Sequence, residues 1–399
     1  MTPGYSLIDA VNLPPGEGIH VEGGRISAPN DPALPGFRRI KLNGDRLLPG
    51  FINAHDHLHL NHYPRTRYRR HHENVSEWIG DIDSRRHSDP VLRACGEIPR
   101  AKQLLHGGLK NLLSGATTVA HHDPHYDALR AADFPVRIAQ PQGWSHSLFI
   151  DGADKVRASC EATPPTQPWI IHAGEGVDAT ASGEFAALES LGCLRANAVF
   201  VHGVAFEREQ LQRLALTGAA IVWCPASNDF LFSTTFDARA LLATRLVALG
   251  SDSRLSGSRD LLEEMNLACR LASMDDSRCI RMVTGDAAGI LRLPDRGSFG
   301  AGNLADFCVL PAGISMAQVT RADLRAVVIG GRFRYGDEDY RNAFQAAEGT
   351  REISVDGRRK WLDRALVERA IELGIEEPGV EWQAARNAPY APRAAGSRS

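Results

Sequence analysis

Lysine is scarce in this 399-residue chain. It occurs only at Lys41, Lys102, Lys110, Lys155 and Lys360, so nearly all the positive charge is arginine. Neither sign of charge is in excess: 45 Lys+Arg stand against 48 Asp+Glu, a formal charge of −3. That balance argues against a dedicated nucleic-acid binder, because neutralising phosphates needs a basic surplus. No window of about 18 uninterrupted apolar residues exists, so no membrane-spanning helix is expected. The start, Met1-Thr2-Pro3-Gly4, has no basic stretch followed by an apolar run, and no signal peptide is expected. The seven cysteines are scattered, odd in number and form no C-x-x-C pair, which argues against a disulfide framework or a cysteine-based zinc site. The expectation is a cytoplasmic protein acting on a small molecule, with no nucleic-acid or membrane partner; a homo-oligomer stays open. Histidine is missing from the second half, since all fifteen lie at or before His202.

Motifs of several enzyme classes are also missing. The H-x-E with P-C-x-x-C of cytidine-type deaminases is absent. So are H-E-x-x-H, the G-x-S-x-G elbow and the GxxxxGK[ST] loop. Gly16-Glu17-Gly18 lacks both the third glycine and the strand–helix context of a dinucleotide site.

What is present is ordinary globular composition, 43% apolar and 23% charged. The length suits two or three domains, or one large barrel with an appendage. Residues 1–49 alternate loosely as strands at Ser6–Leu13, Gly18–Ser27 and Arg38–Leu42, broken by Gly, Pro and Asn. Over 50–295 apolar runs begin at Phe51, Thr117, Val136, Trp169, Val199, Ala220 and Leu246. They alternate with helical stretches such as Arg100–Leu113, Asp154–Ala162, Phe206–Thr217 and Arg259–Ala272. Continuous apolar strands spaced by helices indicate a parallel sheet covered on both faces. Repetition over such a length predicts an α/β fold of the (β/α)8 barrel type. Seven units are counted, not eight, so one strand is missing, degenerate or misread. Residues 296–345 return to strand texture and are expected to join 1–49 in one composite β-sandwich domain. The remainder, 346–399, is expected to hold an amphipathic helix over Arg358–Leu373 and a disordered tail from about Ala385.

The chemistry sits at strand ends. Phe51-Ile52-Asn53-Ala54 runs into His55-Asp56-His57, and on a strand residues i and i+2 share a face, so the two imidazoles can converge on one ion. A surface histidine-rich loop is the competing explanation, since His59, His62, His71 and His72 follow. Ile170-Ile171 ends in His172, with Glu175 three residues on. Val199-Phe200-Val201 ends in His202, and Val247-Ala248-Leu249-Gly250-Ser251 ends in Asp252. Any one of these could be a satisfied core histidine or a capping aspartate. Four strands each delivering an ionisable group to one rim are hard to explain as packing.

The layout resembles the metal-dependent amidohydrolase superfamily, in its cytosine deaminase, guanine deaminase and triazine hydrolase branch. The resemblance is carried by LLPGFINAHDHLHL, SGATTVAHHD, VHGVAF, GAAIVWCPASNDFL, VALGSDS and GSFGAGNLADFCVL, and it covers most of the chain. It implies that His55, His57, His172 and Asp252 ligate a metal, that Glu175 shuttles protons and that His202 polarises the reacting water. Binuclear members of the superfamily resemble one another in using a carbamylated lysine on a middle strand. No lysine occurs from 156 to 359, and Lys155 falls in a helical stretch, so one divalent metal is expected. Zinc is the first choice and ferrous iron the second. The implied activity is hydrolytic deamination of a nitrogen heterocycle or amidine. Cyclic-amide ring opening, chlorohydrolase activity on the same scaffold and an inactive ligand-binding relative are the alternatives. Candidate substrate contacts are His122, Gln142, Trp144 and Asn228. The run Arg65-Thr66-Arg67-Tyr68-Arg69-Arg70 could clamp an anion, although a solvated or subunit-contact loop is the commoner use of such a segment.

Overall fold

The computed structural model describes residues 4–32 and 37–382. The centre of the molecule is parallel sheet, and its strands are numbered here along the chain. They are β1 Phe51–Asn53, β2 Ala116–Ala120, β3 Arg137–Ala139, β4 Gly143–Trp144, β5 Trp169–Ala173, β6 Ala198–His202, β7 Ala220–Trp223 and β8 Val247–Leu249. They form two arcs, β1-β2-β3 and β4-β5-β6-β7-β8, paired in parallel throughout. The parallel strands agree with the expected α/β architecture, as two arcs in which β3 and β4 are not paired with each other. The eighth unit is β4, two residues long and paired to the start of β5, too short to register as an apolar run.

The arcs meet where β8 returns to β1. Ala54 donates to the Leu249 carbonyl at 3.0 Å and Asp252 to that of His55 at 3.1 Å. Gly250 makes this approach possible: a Cβ there would lie 2.6 Å from the Cβ of His55. Inward residues Ile52, Ala54, Ala120, Ile170, Val199, Val201, Val222 and Ala248 fill the interior as one cluster. Alternate residues such as Val119, Ile171, Phe200 and Ile221 face the surrounding helices. Helix starts follow local chemistry. Asp178 caps Ala179–Ser190, Asp260 caps Leu261–Ala272, and Glu207 with Gln210 forms a capping box on Arg208–Thr217.

Two further sheets flank the barrel. One has four strands in the order Arg25–Pro32, Glu17–Glu22, Tyr5–Ile8 and Arg38–Lys41. The other has seven, and it joins Arg46–Pro49 to Phe307–Leu310, Ala326–Ile329 and Arg332–Gly336. Phe307 and Val309 share a core with Leu7, Ile19 and Ile40, whereas Cys308 and Leu310 face the barrel's core.

Two expectations change. Gly18–Ser27 is a hairpin and not one strand, turning at Gly23 and Gly24, whose φ of 58° and 77° suit glycine. The helix expected over Arg358–Leu373 begins only at Arg364. Arg358–Asp363 is instead a strand paired along its whole length with Thr350–Val355, and this pairing outweighs the helical spacing of Leu362 and Leu366. The tail expected from Ala385 lies outside the described residues. Among those described, no helix is long and apolar enough to cross a membrane.

Candidate metal centre and active site

Parallel strands all point their C-terminal ends to one rim, and β1, β5, β6 and β8 each end there in a chosen side chain. His55, His57 and His172 come together: ring centroids are 4.8 Å apart for His55–His57, 5.0 Å for His55–His172 and 5.3 Å for His57–His172. Asp252 approaches from β8, with Oδ1 3.6 Å from His55 Nε2. Glu175 Oε1 lies 3.5 Å from His202 Nε2. His202 and Asp252 both hold left-handed backbone, φ 75° and 50°, a conformation costly for non-glycine residues and typical of functional positions.

Hydrogen bonds to the remote nitrogens orient these rings. His57 Nδ1 faces Asp123 Oδ2 at 2.8 Å, His172 Nδ1 the His146 carbonyl at 2.7 Å, and His202 Nδ1 the Asn228 Oδ1 at 2.9 Å. Each partner only accepts, so each Nδ1 carries hydrogen and Nε2 is the nitrogen that each ring, when neutral, offers a cation. Asp252 is held as firmly. Its Oδ2 accepts from the hydroxyls of Ser227 and Ser256, both at 2.8 Å, and its Oδ1 from the Ser253 amide at 2.6 Å.

Electrostatics separate the two acids. Burial pushes the Glu175 carboxyl well above its ordinary value, and Asp252 and Glu184 add to the effect. Burial also opposes charge on Asp252, but His55, His57 and His202 outweigh it and hold the carboxyl well below the usual range. One acid that keeps its proton beside one that loses it is the pattern of acid–base sites. Burial lowers His202 to about 4.

The donor set fits a divalent cation. Imidazole nitrogens and a carboxylate suit zinc or ferrous iron. Both nitrogens of buried His55 have no hydrogen-bond partner, and a metal ion is a physical reason to tolerate that.

Other candidates land differently. Asn228 orients His202, as above. His122 enters the histidine cluster itself: one nitrogen from each of His55, His57, His122 and His172 falls within a mutual 4.8 Å. Trp144 packs with the barrel's interior cluster, its ring 6.3 Å from His122. Gln142 does not reach the rim. It precedes β4, whose Gly143 is level with Trp169, three residues short of His172; it is exposed and lines a groove with Thr163 and Pro164. The unnoticed short strand is the reason, because Gln142 was placed after β3 and actually lies before β4. The Arg65–Arg70 segment is largely occupied by the protein. Arg65 and Arg67 stack on Phe230 at 4.3 and 4.5 Å, and Arg65 also donates to the Ser256 and Ala226 carbonyls. Arg69 is paired with Asp81.

Sequence reasoning overlooked four groups. Asp123 follows His121-His122 directly, and its position after two strand-end histidines was a usable signal. His146 stacks on His172 at 4.7 Å. Ser227 and Ser256 carried no signal. Behind the rim, buried Lys110 Nζ bonds Asp56, Asn61, Ser251 and the Asp252 carbonyl, all within 3.1 Å. A cavity of about 720 Å³ near Arg65, Arg254 and Arg270 contains none of the clustered imidazoles.

An α/β fold whose strand ends gather histidines and an aspartate in this way defines a class of site, one suited to hold a cation. Comparison with known proteins narrows it. Residues 155–334 match the Amidohydrolase family. The chain is 23% identical to guanine deaminase of Escherichia coli over 355 residues, 73% of this chain and 79% of that protein. It is 33% identical to 5-methylthioadenosine/S-adenosylhomocysteine deaminase of Pyrococcus abyssi over 133 residues, 31% of each chain. The chain thus spans about a third of the length of the relatives it matches at that identity. Among solved structures it resembles a triazine hydrolase from Arthrobacter aurescens, with TM-score 0.68, 19% identity, and 84% of this chain and 95% of that one covered. It also resembles an adenosine deaminase from Xanthomonas campestris with bound zinc, with TM-score 0.65, 16% identity, and 86% and 96% covered. These likenesses support the amidohydrolase superfamily, whose family model matches residues 155–334 of this chain.

Proposed function

We propose that the protein is a mononuclear metal-dependent aminohydrolase that removes ammonia from an aminated nitrogen heterocycle or amidine. The observation that carries this reading is the pairing of a proton-holding Glu175 with an ionised Asp252 across the imidazole cluster. In it His55, His57, His172 and Asp252 hold the cation, zinc before ferrous iron. A divalent ion there would lower the pKa of water from 15.7 to about 7 and so supply a nucleophile near neutrality. Asp252 takes one proton from the water as its oxygen bonds to the substrate carbon. Glu175 gives its own proton to the adjacent ring nitrogen, takes up the hydroxyl proton of the adduct and passes it to the leaving amine, so that ammonia departs as the carbonyl forms; the proton held by Asp252 then returns to Glu175. His202, whose Nε2 lies 3.5 Å from Glu175 Oε1, accepts from the water through that nitrogen.

Support for a single metal comes from the lysines. Lys110 is committed to Asp56, Asn61, Ser251 and the Asp252 carbonyl, which leaves no lysine for a carbamate bridge at the rim. Relatives named as guanine and 5-methylthioadenosine/S-adenosylhomocysteine deaminases support the reaction class, and the zinc in the adenosine deaminase structure supports the metal. Chloride displacement is the second reading, favoured by the likeness to triazine hydrolase. Glu175 weighs against it, because chloride leaves without a proton. The same reading takes 1–49 and 296–345 as one β-sandwich domain, supported by the core their strands share, and sets the protein in the cytoplasm.

The test is ammonia release across purines, pyrimidines, pterins, triazines and imidazolones, with metal content measured in parallel. Glu175→Gln is expected to keep its metal and lose about 10²–10⁴-fold in kcat. Full activity in that variant contradicts the assignment.

A further inference from the structure

The rim holds one more imidazole than the metal site above uses. His122 lies two residues beyond β2, and Ala120, two residues before it, faces the barrel interior, so the period-two alternation continues inward. Its ring centroid is 4.7 Å from His55, 4.9 Å from His172 and 5.7 Å from His57. Those three rings are 4.8–5.3 Å from one another, so His122 stands as close to His55 and His172 as the three stand together, and somewhat further from His57. It is 2% exposed, and neither of its nitrogens has a hydrogen-bond partner among the described residues. An ordinary core histidine would satisfy at least one nitrogen. Its ring neighbours are other imidazoles and Trp144, and the nearby acid, Asp123, accepts its hydrogen bond from His57 instead.

We propose that His122 is a direct ligand of the cation, so that the ion is bound by four imidazoles, His55, His57, His122 and His172, with Asp252 closing the set. This deepens the reading above and rests on it. It moves His122 from the substrate to the metal. The consequence is a tighter, less exchangeable ion than three imidazoles and one carboxylate would hold.

The experiment uses the full chain, stripped with chelator and reloaded with zinc alone. X-ray absorption of the zinc-loaded wild type counts its imidazoles, and four are expected. His122→Asn is expected to weaken zinc, measured by competition with a chromophoric chelator, by more than the about 10–100-fold that losing an outer hydrogen-bond partner costs. Its cobalt-substituted form is expected to show altered visible bands. A count of three imidazoles overturns the proposal, and so does His122→Asn with wild-type zinc affinity, an unchanged cobalt spectrum and a raised KM. The wild-type count does not depend on how the variant folds. Failure of the wild type to bind zinc at all would overturn the metal site as a whole, an outcome distinct from a site with three imidazoles.

Discussion

The two arcs of the barrel hold their functional groups in different ways. On the five-stranded arc, His172, His202 and Asp252 are each tied from behind by a carbonyl, an amide oxygen or hydroxyls. On the three-stranded arc only His57 is tied in this way, by Asp123, while His55, His121 and His122 have no partner on either nitrogen. What fixes that arc lies in its frame. Asn53, Asp56, Asn61, Lys110, Asn111 and Ser251 form one buried hydrogen-bonded network that joins the end of β1 to the end of β8. Rings oriented from behind are ready for proton work before anything binds. Untied rings in a dry site carry a desolvation cost that a cation removes. The three-stranded arc is therefore the side that depends on metal, and the five-stranded arc the side that depends on tautomer and charge.

Breaking the frame should have the largest effect. Lys110→Met leaves Asp56 buried without its cation and is expected to cost about 3–5 kcal/mol in chemical denaturation. A loss under about 1 kcal/mol would mean the frame is not what fixes β1 against β8. Loosening an anchor on the other arc should cost less. Ser227→Ala removes one of the two hydroxyls on Asp252 Oδ2 and should weaken metal binding about 10–100-fold, read by chelator competition, with little change in folding.

The smallest effect separates the anchor from its charge. Glu264 is buried and accepts from the Ala226 and Ser258 amides, which pins the Ser227–Asn228 helix to the loop of Asp252 and Ser256. Burial raises its pKa to about 7 against an ordinary 4.5. A raised carboxyl stabilises the fold fully below its ordinary value and loses that contribution as pH climbs through about 7. Glu264→Gln should therefore flatten the fall in stability between pH 5 and 8, seen as a smaller spread of Tm across that range. Glu184, also raised to about 7, will keep part of the slope.

Much of this site was legible because barrels place function at strand ends. Each apolar run ending in His55, His172, His202 or Asp252 names its own position on the rim. The β4 strand was not legible, since two residues make no pattern, and the misplacement of Gln142 follows from it. Arg358–Asp363 misled because Leu362 fits a helical face, yet cross-strand pairing with Thr350–Val355 decided its conformation. Lys110 stood only in the count of scarce lysines. Its partners come from residues up to 142 positions away, and such contacts leave no local trace. The serines behind Asp252 are hidden for the same reason. Of the five lysines Lys110 and Lys360 are buried, and Lys110 ties together the strands carrying the ligands.

The proposed aminohydrolase activity requires one cation held between the untied and the tied arc. The direct test is to add zinc in steps to the stripped protein while following ammonia release from an accepted substrate. Activity should rise in proportion and saturate at one zinc per chain. Saturation at two, or ammonia release that does not depend on metal, would contradict the account.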